Sequence, residues 1–259
     1  MRIGLVLSGG GARGFAHLGA LKALEELEIS IHIISGTSSG AIAGAFYGAG
    51  YPPEEIYQIV NKTRFLKLIR PAFNMGGLIK LSQLADEFNQ YFGHKNFSDL
   101  SIPLIICATD INKAVTIYFT EGELSIPLMA SAAVPIVCQP VQYKNQLLVD
   151  GGLLNNMPAE CLKGECDFII GVHCNPINHE ANITSMRSML ERTFQLAINN
   201  NVEPRLKLLD FLIEPPQLKY YSLLNLKNAR TMFDHGYEHT MHLAEKLNKT
   251  LERFKQNKT

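Results

Sequence analysis

The first forty residues constrain the fold more than any other stretch. Ile3 to Ser8 is a short apolar run that stops at a glycine cluster, which reads as a buried strand. Phe15, Leu18, Leu21 and Leu24 then recur three apart, with Lys22, Glu25 and Glu26 turned away from them, the pattern of an amphipathic helix. Ile31 to Ile34 is a second apolar run. Two strands joined through a helix pair side by side in parallel, so the chain opens with a β-α-β unit.

Strands and helices continue to alternate. Strands are expected at Leu104 to Thr109, Val115 to Phe119 and Phe168 to Val172, and a hairpin at 141–149 turning on Lys144-Asn145. Helices are expected from Ala41 to Gly48, over 54–92 with breaks at Pro71 and Gly76-Gly77, from Ile126 to Ala133, and over 183–201. A late strand is expected at 208–213, then a long amphipathic helix from Leu226 to Phe254, interrupted near Gly236. This alternation predicts an α/β fold: one three-layer α/β/α domain over residues 1–259 with a mostly parallel central sheet. The motif-bearing part spans 3–175, with a helical portion from 180 to 259 packed on it.

Composition narrows the function classes. Of 259 residues, 46% are apolar and 19% charged, the profile of a globular protein. Lys+Arg and Asp+Glu are both 24, so no global field steers the chain to nucleic acid, and any lipid contact must come from a local patch. The five cysteines are odd in number and form no C-x-x-C pair, which reads as reduced buried thiols rather than disulfides or a zinc site. The apolar start is too short for a signal peptide, and no run of about 18 apolar residues exists to span a bilayer. The expected location is the cytoplasm or the periphery of a membrane.

Three motifs carry the chemistry. Gly9-Gly10-Gly11-Ala12-Arg13-Gly14 lies between a strand and a helix, where backbone amides converge and favour negative charge. It satisfies the dinucleotide fingerprint G-x-G-x-x-G, but no acidic residue ends the second strand to hold a ribose. The competing reading is an oxyanion hole. Gly36-Thr37-Ser38-Ser39-Gly40 fits G-x-S-x-G between a strand and a helix, the setting of a nucleophile elbow. The alternative is that Ser38 and Ser39 only cap the helix. Asp150-Gly151-Gly152 directly follows the strand at Leu147 to Val149, on the sheet edge where α/β proteins bind ligands, so Asp150 and Ser38 could meet.

In this order the motifs resemble those of the patatin-like phospholipase family, whose pattern is G-G-G-x-R/K-G, then G-x-S-x-G, then D-G-G or D-G-A. Ala130-Ser131-Ala132-Ala133-Val134-Pro135 and Asn155-Asn156-Met157-Pro158 are similar too. The resemblance implies a lipid or acyl-ester substrate and a Ser–Asp dyad without histidine. Ser38 would be the nucleophile and Asp150 its proton acceptor, with the amides of Gly9, Gly10, Gly11 and Ala12 as the oxyanion hole. Arg13, Gly14, Gly36, Gly40, Gly151 and Gly152 would support them, Arg13 by bracing the glycine loop rather than by meeting a head-group phosphate. No metal or other cofactor is implied.

Two other classes stay open: a catalytically weak lipid-binding or regulatory protein, and a dinucleotide-binding oxidoreductase. His17 and His173 are expected to be structural or site-lining, and His235, His239 and His242 to sit on the terminal helix. The mixed basic and apolar stretch from Arg64 to Lys80 is a candidate border of an acyl pocket or a lipid contact, or else an ordinary helix over the core.

Overall fold

A computed structural model describes residues 1–62 and 82–257. The stretch from Arg64 to Lys80 lies outside the described residues. The chain runs through β1 (Ile3–Leu7), α1 (Phe15–Glu26), β2 (Ile33–Thr37), α2 (Ser39–Gly48), α3 (Pro53–Lys62), α4 (Ser82–Phe92), β3 (Leu104–Asp110) and β4 (Val115–Phe119). It continues through α5 (Ser125–Ser131), β5 (Val141–Tyr143), β6 (Gln146–Asp150), β7 (Phe168–Val172), α6 (Met186–Leu206), β8 (Phe211–Ile213), α7 (Ala229–His242) and α8 (Ala244–Asn257).

The strands form one eight-stranded sheet in the order β5-β6-β3-β2-β1-β7-β8, with β4 beside β3. The β1–β2, β2–β3, β1–β7 and β7–β8 pairs are parallel; the hairpin β5–β6 and the pairs of β3 with β4 and β6 are antiparallel. Alternation of side chains across each strand divides the core. Leu5 and Leu7 of β1, Ile34 of β2 and Ile106 of β3 pack under α1, α2 and α7. Val6, Ile33, Ile105 and Ile169 face the opposite side, where Ile198 and Val202 of α6 cover them. Full burial of each such aliphatic side chain stabilises the fold by about 1.5–3 kcal/mol. This is the expected α/β sandwich, with helices on both faces of a mostly parallel sheet.

The register explains how two distant motifs converge. Thr37 at the end of β2 pairs with Cys107, and Asp150 at the end of β6 pairs with the next residue, Ala108. Both Ile106 and Ala108 also pair with β4, which therefore lies along the opposite edge of β3. Strands β2 and β6 thus share one edge of β3 and run toward each other, ending tip to tip.

The expected break in the terminal helix is corrected. Gly236 lies inside α7, and the interruption falls at Leu243. A Cβ at Gly236 would stand 2.1 Å from the Ala16 carbonyl oxygen, and one at Gly19 would stand 1.9 Å from that of Phe233. The two glycines let α1 and α7 cross with their backbones touching, so packing rather than helix termination explains Gly236. Helix α6 also extends to Leu206, past its expected end and through Pro204.

Candidate active site

The chain passes from β1 to β2 on one side and reaches β7 on the other, so β1 is the point where the strand order reverses. The crevice beyond the carboxyl ends of such strands is where open α/β sheets bind ligands. The glycine loop follows β1, Ser38 follows β2, and Asn175 follows β7 by three residues.

Ser38 occupies a sharp strand-to-helix turn with φ +52° and ψ −122°. Non-glycine residues avoid this region, and strain of this kind concentrates at functional sites. The turn is tight enough that a Cβ on Gly40 would meet the Leu7 carbonyl oxygen at 2.2 Å, which explains the second glycine of G-x-S-x-G. The Ser38 amide donates to Ser131 Oγ (2.8 Å), and Ser131 Oγ donates to the Cys107 carbonyl (2.6 Å). The Asp150 amide donates to the carbonyl of Ala133, two residues beyond Ser131 (2.9 Å). The A-S-A-A-V-P stretch therefore anchors the backbones of both residues.

The Asp150 carboxylate is buried and accepts from the Gly152 amide (2.7 Å), and the Ser38 hydroxyl stands near enough to favour its charged form. Burial pushes its pKa up to about 6, against the Ser38 hydroxyl and the Gly152 amide, which pull it down. A carboxylate raised in this way is a better base than a solvated one and still ionises at neutral pH.

The four expected oxyanion donors divide. The Gly9 amide donates to the Asn156 carbonyl (3.1 Å), and the Ala12 amide to the Leu223 carbonyl (2.8 Å). Both are committed to structure. Among the described residues, the amides of Gly10 and Gly11 have no protein acceptor, and both glycines line the cavity beside Ser38. The Gly9 carbonyl accepts from the side-chain amides of Asn156 (3.2 Å) and Asn175. Arg13 is buried, and its Nε donates to the Tyr221 carbonyl (2.8 Å). Burial lowers its pKa to about 10, so it stays charged at neutral pH. Its Nε faces Tyr221, and Arg13 is not among the residues that line the cavity beside Ser38.

A cavity of about 670 Å³ opens over Ser38 and Asp150, within the size range of small-molecule sites. Its walls are largely apolar, with Ile42, Val137, Leu153, Phe194 and Ile198 among them. None of the eight histidines lines it. His17 Nε2 donates to the Ser8 carbonyl (2.7 Å), and burial lowers its pKa to about 4, so it is neutral. His173 Nδ1 pairs with Glu214 (2.6 Å), and His235 with the Tyr221 hydroxyl (3.0 Å). All five cysteines are free, and the described residues hold no cluster of metal-ligating side chains.

Asn175, Glu191 and Leu223 line the site without standing in any of the three motifs. A signal existed for Asn175, which lies just past the end of a core strand. None existed for Glu191 and Leu223, which reach the site only through tertiary packing.

The fold and site together define a doubly wound α/β protein with a serine–aspartate pair under a glycine loop, at the floor of an apolar cavity. Residues 5–162 match the patatin-like phospholipase family, and the chain belongs to it. An uncharacterised NTE family protein of Mycobacterium tuberculosis is 33% identical over 177 residues, covering 67% of this chain and 49% of that protein. The lysophospholipase NTE1 of Kluyveromyces lactis is 27% identical over 280 residues, covering 94% of this chain and 19% of that protein. The chain thus spans about half the length of the mycobacterial relatives it matches. Among solved structures, VipD of Legionella pneumophila shares the fold with a TM-score of 0.64 at 14% identity, over 95% of this chain and 67% of that one. ExoU of Pseudomonas aeruginosa, in complex with SpcU, gives 0.52 at 17% identity, over 97% and 52%.

Proposed function

We propose that this chain is a serine lipid acyl hydrolase working through a Ser38–Asp150 dyad. The observation that carries the reading is Ser38, held in a strained turn beside a buried carboxylate of raised pKa, with both residues on the wall of one apolar cavity. Asp150 takes the hydroxyl proton as Ser38 Oγ attacks the ester carbonyl. The Gly10 and Gly11 amides hold the resulting oxyanion, and the N-terminus of α2 adds favourable potential. Collapse expels the alcohol or lysolipid, which takes the proton from Asp150 and leaves acyl-Ser38. Water, deprotonated by Asp150, then frees the fatty acid. The apolar cavity suits the acyl chain, and the name of the Kluyveromyces relative favours lysophospholipid as the first substrate to try.

The lipid surface would meet the protein at the rim of the cavity. Ile136 and Met186 line the mouth and are 71% and 84% exposed. Met189, one turn further along α6, is 51% exposed. Ile136 has φ +71°, costly for a β-branched residue, and that backbone turns an apolar side chain outward. No described helix is long and apolar enough to cross a membrane, so this contact would be peripheral.

Fluorophosphonate labelling, read by intact mass, tests the dyad. Wild type should gain one adduct and Ser38→Ala none, and Asp150→Asn should lose hydrolysis of a short p-nitrophenyl ester. A folded wild type that neither labels nor hydrolyses would return the protein to the lipid-binding or nucleotide-binding readings.

A further inference from the structure

We infer that Glu191 is a positioning residue for the oxyanion loop, acting through the segment Tyr221–Leu223; the inference rests on the hydrolase reading above. Glu191 is a carboxylate on α6 in a wall that is otherwise largely apolar, a costly place for a charge unless it is bonded. Its Oε1 accepts from the Leu223 amide (2.6 Å) and from the Ser222 hydroxyl (2.9 Å). Ser222 Oγ in turn accepts from the Leu224 amide (3.1 Å).

This segment belongs to no strand and to no long helix. It lies between the short turns Pro216–Tyr220 and Leu226–Asn228. Its position therefore depends on what grips it. On one side the loop grips it: Arg13 Nε holds the Tyr221 carbonyl, and the Ala12 amide holds the Leu223 carbonyl. On the other side Glu191 holds the Leu223 amide.

The contact also fixes the loop. Gly11 has φ +53°, and a Cβ there would stand 2.3 Å from the Leu223 oxygen, so Leu223 is packed directly against the backbone of one of the two free amides. Oxyanion donors work only within about 2.7–3.1 Å of the charge they stabilise. A shift of Leu223 by a fraction of an ångström would misplace the Gly11 amide, and the larger cost would fall on the transition state, where that amide meets the developing charge.

The experiment compares wild type, Glu191→Gln and Glu191→Asp by kcat and KM on a short p-nitrophenyl ester, with a thermal melt for folding. Hydrogen exchange of the Ala12 amide is measured alongside. Gln keeps an acceptor at the same reach and should keep kcat within about threefold. Asp keeps the charge but falls a methylene short. It should lower kcat about 10–100-fold at nearly constant KM and speed Ala12 exchange. Wild-type kcat in Glu191→Asp overturns the inference, and with a loss confined to Glu191→Gln it would mean that charge facing Arg13, and not reach, is what matters; an equal loss in both variants overturns it too, since an acceptor at the right reach would then not suffice. A wild type without activity removes the hydrolase reading instead. The exchange data then still decide whether Glu191 holds the loop.

Discussion

Ser131 Oγ accepts the backbone amide of Ser38 at 2.8 Å, so the side chain of one serine fixes the backbone of the other. A residue at φ +52° holds its conformation only where its surroundings over-determine it. Ser131→Ala removes the acceptor and leaves a buried amide unpaired, which costs about 1–3 kcal/mol. The expected outcome is a lower Tm and a kcat reduced about tenfold or more as the elbow relaxes. A Ser131→Ala protein with unchanged Tm and kcat would show that the turn is held by other contacts.

The raised pKa of Asp150 gives a pH profile. Only the ionised carboxylate can take the Ser38 proton, so kcat/KM should rise with pH through an inflection at about 6. At pH 5 the rate should be about one tenth of the plateau. An acidic limb centred near pH 4 would mean that the carboxylate is solvated in the working enzyme.

The same shift makes Asp150 a liability for stability. Its folded pKa of about 6 lies above the ordinary aspartate value of 3.8. Below that lower value both states are protonated. Between the two values the native state binds the extra proton, so stability falls as pH rises through this window. Above about pH 6 the buried charge costs up to about 3 kcal/mol. Asp150→Asn should therefore abolish hydrolysis and raise Tm at pH 7.5, with the gain vanishing toward pH 4. A lowered Tm at pH 7.5 would mean that the hydrogen bonds to the charged form outweigh its desolvation.

The parts of this architecture that sequence made legible are local ones. Strand, glycine turn and helix stand next to each other around Gly9–Gly14 and around Ser38, so spacing alone placed both at strand ends. Asp150 was legible as a third strand end, but its meeting with Ser38 depends on β2 and β6 converging on β3, which no local pattern encodes. Which amides of the glycine loop are bonded, Gly9 and Ala12 but not Gly10 and Gly11, was hidden for the same reason. It is decided by the carbonyls of Asn156 and Leu223, residues that arrive from other elements.

Gly236 tests the limit of local rules directly. Helix propensity alone says that Gly236→Ala, inside α7, should stabilise by about 1 kcal/mol. The contact says otherwise, because the new Cβ would lie 2.1 Å from the Ala16 oxygen, and backbone cannot swing aside as a flexible side chain can. Overpacking of this kind costs about 1–3 kcal/mol or more, which exceeds the propensity gain. The variant should melt lower than wild type; a higher Tm would mean that α1 and α7 separate at little cost.

The exposed rim of α6 leads to a split between two substrates. Met189 is half-exposed, and the cavity lining does not include it, so it can touch a lipid surface without touching a bound ester. Transferring a methionine side chain from water to an apolar phase is worth about 1.5–3 kcal/mol, and a glutamate there adds the cost of moving a charge toward the interface. Met189→Glu should lower partition onto phospholipid vesicles about tenfold and slow hydrolysis of vesicle-borne lysophospholipid in parallel. Hydrolysis of a soluble short-chain ester should be unchanged, since neither the dyad nor the loop is altered. Equal losses on both substrates would point to a distorted cavity wall, and no loss on either would place the lipid contact on another face of the protein.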